Sequence, residues 1–268
     1  MHVVLLATLV PASGARAETA RVARVYDGDT AFLEDGRKVR YLGINAPESQ
    51  EPLSRKAKRR NEELVLGKVV RLEFDRERED RYGRLLAWVH VGEDVINLRL
   101  VREGLAHALI IPPNGMRARE VLQAQAEARQ KRLGIWRHIR GALKVTAVRT
   151  EARDTGDLPG GEEYVRLANV SSQPVRVKGY RLLNETGRGY AFPDFTIAPG
   201  HTVLVVTGVG LDGTDSRGQL RLFWNAAAPM WDEREDTAYV EDAAGQLVDV
   251  FHYKGRRVSR RPPSRPTS

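Results

Sequence analysis

The chain has 268 residues, 41% of them hydrophobic, no cysteine, and 43 Lys and Arg against 35 Asp and Glu, for a formal net charge of +8. That length supports two ordinary domains, each with its own core, and the missing cysteines exclude disulfides and thiolate metal sites while leaving the redox compartment undetermined. The charge is uneven: residues 18–140 carry 25 basic and 19 acidic side chains, residues 141–254 carry 12 and 16, and the tail 255–268 carries five arginines and no acid, so the basic character sits in the first domain and the tail.

Val3 to Val10, followed by Pro11 and Ala15-Arg16-Ala17, form a short apolar segment with a small-x-small cleavage site. That is the pattern of an export signal over residues 1–17, leaving Glu18 first. It is too short to span a bilayer and lacks a leading Lys or Arg, so a frayed apolar N-terminus on a cytoplasmic protein is the alternative. The expectation is an exported monomer, periplasmic or extracellular, with no transmembrane segment.

From Arg21 to Leu42 short apolar runs alternate with Asp27-Gly28-Asp29 and Glu34-Asp35-Gly36 corners, which predicts a three-stranded meander. Ser54 to Leu66 is rich in Lys, Arg, Glu and Leu and stops at Gly67, predicting a helix with a charged outer side and Leu53, Ala57 and Leu64 on its inner face. Val69–Phe74 and Leu85–Val91 read as strands joined by a polar loop, Asp75 to Gly83. Val95–Glu103 reads as a helix ending at Gly104, and Arg117–Leu133 as a longer one closing at Gly134. Five strands with interspersed helices predict a small mixed α+β barrel.

From Leu143 onward helix formers fall and Val, Thr, Tyr and Phe rise, with frequent Gly, Asp and Pro, predicting an all-β domain over 141–254. Tyr164–Asn169 and Val175–Lys178 alternate as half-buried strands, Thr202–Thr207 is a continuous apolar run suited to a sandwich core, and Ala243 to Gln246 reads as a hairpin turn before Leu247–Tyr253. The tail 255–268 has nothing to bury and is expected to be disordered.

The chemistry gathers in the first domain. Taken alone, Asp27-Gly28-Asp29 is an Asx-type turn, Asn45 and Glu48 are loop residues around Pro47, and Arg40 and Arg84 are partners for surface acids. Taken together they supply hard oxygen donors for a cation such as calcium and two guanidinium forks that match phosphate oxygens in bidentate fashion. Such a set suits phosphodiester hydrolysis. The basic run Arg55 to Arg60 either follows a nucleic-acid backbone or is a solvated helix face. His90, His107 and His138 lack the clustering of a metal site, and the tryptophans read as packing residues.

In this order, Val25-Tyr26-Asp27-Gly28-Asp29-Thr30, Arg40 to Glu48, Asp80-Arg81-Tyr82-Gly83-Arg84 and Gly134-Ile135-Trp136 resemble the staphylococcal nuclease, or thermonuclease, family from about Arg21 to Trp136. The resemblance implies an OB-fold barrel over residues 18–140 that binds calcium and hydrolyses DNA or RNA. It implies that Asp29, Asn45 and the Ala46 carbonyl are metal ligands, with Asp27 acting through water. Glu48 would be general base or water-positioning residue, and Arg40 and Arg84 would hold the scissile phosphate. Where family members have aspartate this chain has Asn45, and losing that charge predicts weaker calcium binding or tolerance of other divalent ions. Leu109 to Asn114 lacks the nucleotide-contacting tyrosines of those members, and the loop from Glu48 to Ser54 is shortened, so the substrate grip is expected to differ.

Residues Leu143 to Tyr253, through Gly161-Glu162-Glu163-Tyr164-Val165, Leu167-Ala168-Asn169, Phe192-Pro193-Asp194-Phe195 and Ala198-Pro199-Gly200, resemble the lamin-tail domain, an immunoglobulin-like sandwich. This resemblance implies a binding or anchoring module with a surface or protein partner. Its acidic balance argues against nonspecific DNA binding by the domain as a whole. The combined expectation is a calcium-dependent nuclease acting on single-stranded DNA or RNA. Its rivals are a non-catalytic nucleic-acid-binding barrel and a structural protein led by the sandwich.

Overall fold

The structure, a computed structural model, describes residues 17–49, 51–150 and 163–254. The expected export segment up to Arg16 and the basic tail lie outside the described residues. Strands β1 (Ala17–Val25), β2 (Thr30–Leu33), β3 (Lys38–Tyr41), β4 (Val69–Glu79) and β5 (Leu85–Val91) form the barrel. Antiparallel ladders join β2 to β1 and β3, and β4 to β1 and β5. A parallel ladder then pairs Val39 with Leu85, Arg40 with Leu86 and Tyr41 with Ala87, closing β3 onto β5. Alternation does the rest: Val39, Tyr41, Leu85 and Ala87 are buried inside, so Arg40 and Leu86 point outward, with Arg84 two residues before Leu86 on the same face.

Helices α1 (Ser54–Val65), α2 (Ile96–Arg102) and α3 (Ala118–Gln130) cover the barrel. They fall inside the expected spans and differ at the ends, where helices fray. The larger difference is in β4. Its charged half, Asp75 to Glu79, was expected as loop but continues the strand, because backbone pairing needs partners and not apolar side chains. Asn114 accepts the Glu77 N–H at 2.9 Å, and Asp75 Oδ2 accepts the Gly115 and Met116 N–H groups at 2.7 and 2.8 Å.

The second domain is a sandwich of nine principal strands: β6 (Leu143–Arg149), β7 (Tyr164–Asn169), β8 (Arg181–Leu183), β9 (Gly189–Ala191), β10 (Thr202–Val206), β11 (Gly213–Thr214), β12 (Leu220–Phe223), β13 (Glu235–Glu241) and β14 (Leu247–Lys254). One sheet runs β11-β12-β10-β7-β6 and the other β9-β8-β13-β14. The expected strand Val175–Lys178 shrinks to Val175–Arg176 beside Thr196–Ile197. Between the sheets pack Leu143, Val145, Val165, Leu167, Val203, Val205 and Leu222 against Leu182, Tyr190, Ala238 and Val240.

β10 is buried along its whole length, which a sheet with one wet face does not allow. Its inner residues Val203 and Val205 join the sandwich core, while Leu204 and Val206 on the outer face cluster with Tyr164. That outer face lies against the barrel. Leu109, Ala128, Ile135 and Trp136 from the first domain form a shared core with Ala168 and Val170 from the second. Along this seam Ile110 N donates to Gly200 O at 2.8 Å, and Gln125 Nε2 and Arg129 Nη1 donate to Val170 O at 3.1 and 3.0 Å. Gly200 is needed here for clearance, since a Cβ would fall 2.9 Å from Ile110 Cδ1 and Leu122 Cδ2.

Candidate active site

The outward face of β2, β3 and β5 and the outer face of the sandwich's first sheet enclose a cleft of about 530 Å³. Asp27, Asp29, Arg40, Asn45, Glu48 and Arg84 all line it. Ala46 sits just behind, its N–H donating to Asp29 Oδ2 at 2.6 Å.

The turn before β2 is built as an Asx turn, with Asp27 Oδ1 accepting the Asp29 N–H at 3.0 Å. Gly28 lets that turn press on its neighbours: a Cβ would lie 2.5 Å from the Ala46 Cβ and 2.8 Å from the Ala57 Cβ. Helix α1 fixes the same turn through Asn61, which donates from Nδ2 to Asp27 O at 3.0 Å and accepts the Tyr41 hydroxyl at 2.9 Å. Gly28→Ala is therefore expected to cost about 1–3 kcal/mol through overpacking and to displace Asp27 and Asp29. Calorimetric melting with a divalent-cation titration checks this, and unchanged values for both would contradict it.

Asp29 is almost wholly buried. Its Oδ1 accepts the Thr30 hydroxyl at 3.0 Å and faces Arg40 Nε at 3.2 Å. Burial raises its pKa against the pull of Arg40, and the charge of Asp27 adds to the rise. Arg40 also donates to Asn45 Oδ1 at 2.8 Å and to Tyr41 O at 2.7 Å, so it bridges the side-chain oxygens of two of the candidate ligands, Asp29 and Asn45. Arg84 is held by Asp80, whose Oδ2 accepts Nε at 2.6 Å.

Glu48 sits at the cleft rim, with part of the residue exposed and its carboxyl set in the cleft. Loss of water around its carboxyl, followed by repulsion from Asp29, pushes it up to about 6 despite Arg40, close to neutral pH where a general base works best. Its loop is pinned from the other domain. The Glu48 N–H donates to Glu51 Oε2 at 2.8 Å, and Glu51 Oε1 is ion-paired with buried Lys144 of β6. Burial pushes nearby Asp249 up to about 6, with Lys144 opposing the rise. Lys144→Met is expected to lower kcat about ten- to a hundredfold with little change in KM, because misplacement by about 1 Å costs that much. Steady-state kinetics on the full chain checks it, and an unchanged kcat in a folded variant would show that the latch does not matter.

Among the described residues no three His, Asp or Glu side chains converge as a preformed metal cage. His90 is buried against Glu73 Oε2 at 2.8 Å, and His107 is buried with its pKa pushed down to about 4 by that burial, in keeping with structural roles. In the basic run, Arg60 is engaged bidentately by Glu103 at 2.7 and 2.8 Å, whereas Arg55, Lys56 and Arg59 are exposed. The sequence reading missed Asn61, Lys144 and the whole sandwich wall. Asn61 left one trace, as a polar residue four after Ala57 on the inner face of α1.

A closed OB-type barrel with carboxylates, an amide oxygen and two guanidinium groups on one outer face has the architecture of a small nuclease. The comparisons agree: the model described as staphylococcal nuclease homologue matches residues 38–138, and the lamin tail domain model matches residues 140–255. The chain is 40% identical over 130 residues to a thermonuclease of Staphylococcus intermedius, covering 45% of this chain and 77% of that one. It is 35% identical over 133 residues to a thermonuclease of Staphylococcus hyicus, covering 46% and 79%. It is 39% identical over 124 residues to endonuclease YncB of Bacillus subtilis, covering 42% and 59%. The chain belongs to the staphylococcal nuclease homologue family and carries a lamin tail domain after its nuclease domain.

Proposed function

We propose that this chain is an exported, divalent-cation-dependent nuclease that hydrolyses phosphodiester bonds of single-stranded DNA or RNA, with calcium as the first candidate cation. The observation that carries the reading is the gathering of Asp27, Asp29, Asn45, Arg40, Glu48 and Arg84 in one cleft. The donors on offer are two carboxylates, the Asn45 amide oxygen and the Ala46 carbonyl. They are all hard oxygens, a set that suits calcium or another hard divalent ion and not a thiolate- or imidazole-seeking metal. With Asn45 in place of a carboxylate, affinity for calcium is expected to be modest. A cation held there supplies Lewis-acid stabilisation of charge on the phosphate.

The chain's own groups do the rest. Glu48 takes a proton from the attacking water on a carboxylate oxygen. Arg40 on β3 and Arg84 just before β5, lining the same cleft, donate to the non-bridging phosphate oxygens as their charge grows. The test is cleavage of single-stranded oligonucleotides by the full chain with calcium, magnesium, manganese or chelator. Cleavage that disappears in chelator and returns with a divalent ion is the expected result. Binding without cleavage under every ion would overturn the reading in favour of a non-catalytic nucleic-acid-binding barrel.

A further inference from the structure

The wall of the cleft opposite the barrel belongs to the sandwich, and a cation sits in it. On the outer face of β7, Arg166 stands between Tyr164 and Ala168, with its guanidinium 5.6 Å from the Tyr164 ring centre. Its Nε is buried without a hydrogen-bond partner, and no carboxylate lies within ion-pairing distance of it among the described residues. Arg166 lines the same cleft as Asp29, Arg40, Arg81 and Arg84. Burial, and the like charges of Arg81 and Arg40, press its pKa down.

Leaving a guanidinium donor unmet in a low-dielectric site is costly, and gathering like charges around it adds to the cost. An anion entering the cleft offsets both penalties, and a phosphate presents paired oxygens that match a guanidinium fork. The second domain is net acidic overall, yet the face it turns to the barrel carries Arg166, with Arg217 further out paired to Glu77 of β4.

We propose that Arg166 of the lamin tail domain is a substrate-binding residue of the nuclease cleft that holds a phosphate next to the scissile one, so that the sandwich forms one wall of a groove for a single strand. This rests on the nuclease reading above. A groove of about 530 Å³, closed on one side by β2, β3 and β5 and on the other by β7 and β10, suits a nucleotide or two of one strand.

The test uses the full chain. Binding of a fluorescent single-stranded oligonucleotide is followed in chelator across a salt series for wild type, Arg166→Gln and Arg166→Lys. Arg166→Gln is expected to weaken binding about tenfold and to flatten the log–log salt slope by about 0.7, the value for one lost phosphate contact on a single strand. Arg166→Lys should restore the slope with only part of the affinity. In cleavage assays Arg166→Gln should raise KM for the oligonucleotide about tenfold at near-constant kcat, and raise it much less for bis(p-nitrophenyl) phosphate, which has no neighbouring phosphate. An unchanged slope and KM in folded Arg166→Gln would overturn the proposal, as would blunt duplex binding as tightly as single strand. Should Arg166→Gln fail to fold, Ala147→Glu, which puts a negative charge on the same wall, decides the matter: weaker binding supports the groove and unchanged binding overturns it. Because binding is read in chelator, absence of cleavage refutes the nuclease reading without touching the salt slope.

Discussion

Replacing Glu48 by glutamine is expected to lower kcat on single-stranded DNA by about two to four orders of magnitude, the usual worth of a positioned general base, with little change in melting temperature. The substitution keeps size and shape and removes only the acceptor for a proton. Glu48 holds its loop through its backbone N–H on Glu51 and not through its carboxyl, so the fold has no reason to suffer. The carboxyl stands beside Asp29 and Arg40, where water on the cation and a phosphate on the arginines would meet it. Single-turnover cleavage with calorimetric melting of the same sample checks the expectation. A folded Glu48→Gln enzyme with near-normal turnover would move the base elsewhere and leave Glu48 as a water-positioning residue at most.

Ending the chain after residue 140 is expected to destabilise the barrel by on the order of 5 kcal/mol, the low end of a small domain's whole stability. Leu109, Ile135 and Trp136 are each no more than 6% exposed in the full chain, and part of that cover is Ala168 and Val170. Full burial of one such side chain contributes about 1.5–3 kcal/mol, and the truncation uncovers several at once. It also removes the Val170 carbonyl that Gln125 and Arg129 share. Urea unfolding of residues 17–140 beside the full chain measures the difference. Equal midpoints would mean that the seam is a contact and not a core.

Much of the barrel was legible because its signals are local. Gly28, the alternation through Val39 to Tyr41 and the helix-stopping glycines are each read within a few residues, and the site residues sit in short motifs whose order survives on the page. What stayed hidden depends on pairing between distant segments. The charged half of β4 looks like a loop until Asn114, from far along the chain, is seen bonding its backbone. The apolar run of β10 was read as a strand buried in a sandwich, but which body covers its second face cannot be inferred from period-2 alternation. Lys144 and Arg166 look like ordinary exposed positions of alternating strands, since a residue turned toward another domain has the same sequence signature as one turned toward water.

The seam also has a consequence for how the molecule comes into being. Every barrel strand precedes Leu143 in the chain, so a nascent barrel is complete in sequence while Val170 and Gly200 are still to be made. At that stage the barrel segment has Leu109, Ile135 and Trp136 without their cover and its groove without one wall. The cleft is finished only when the sandwich closes over it, which places assembly of the substrate groove among the last events of the chain's maturation.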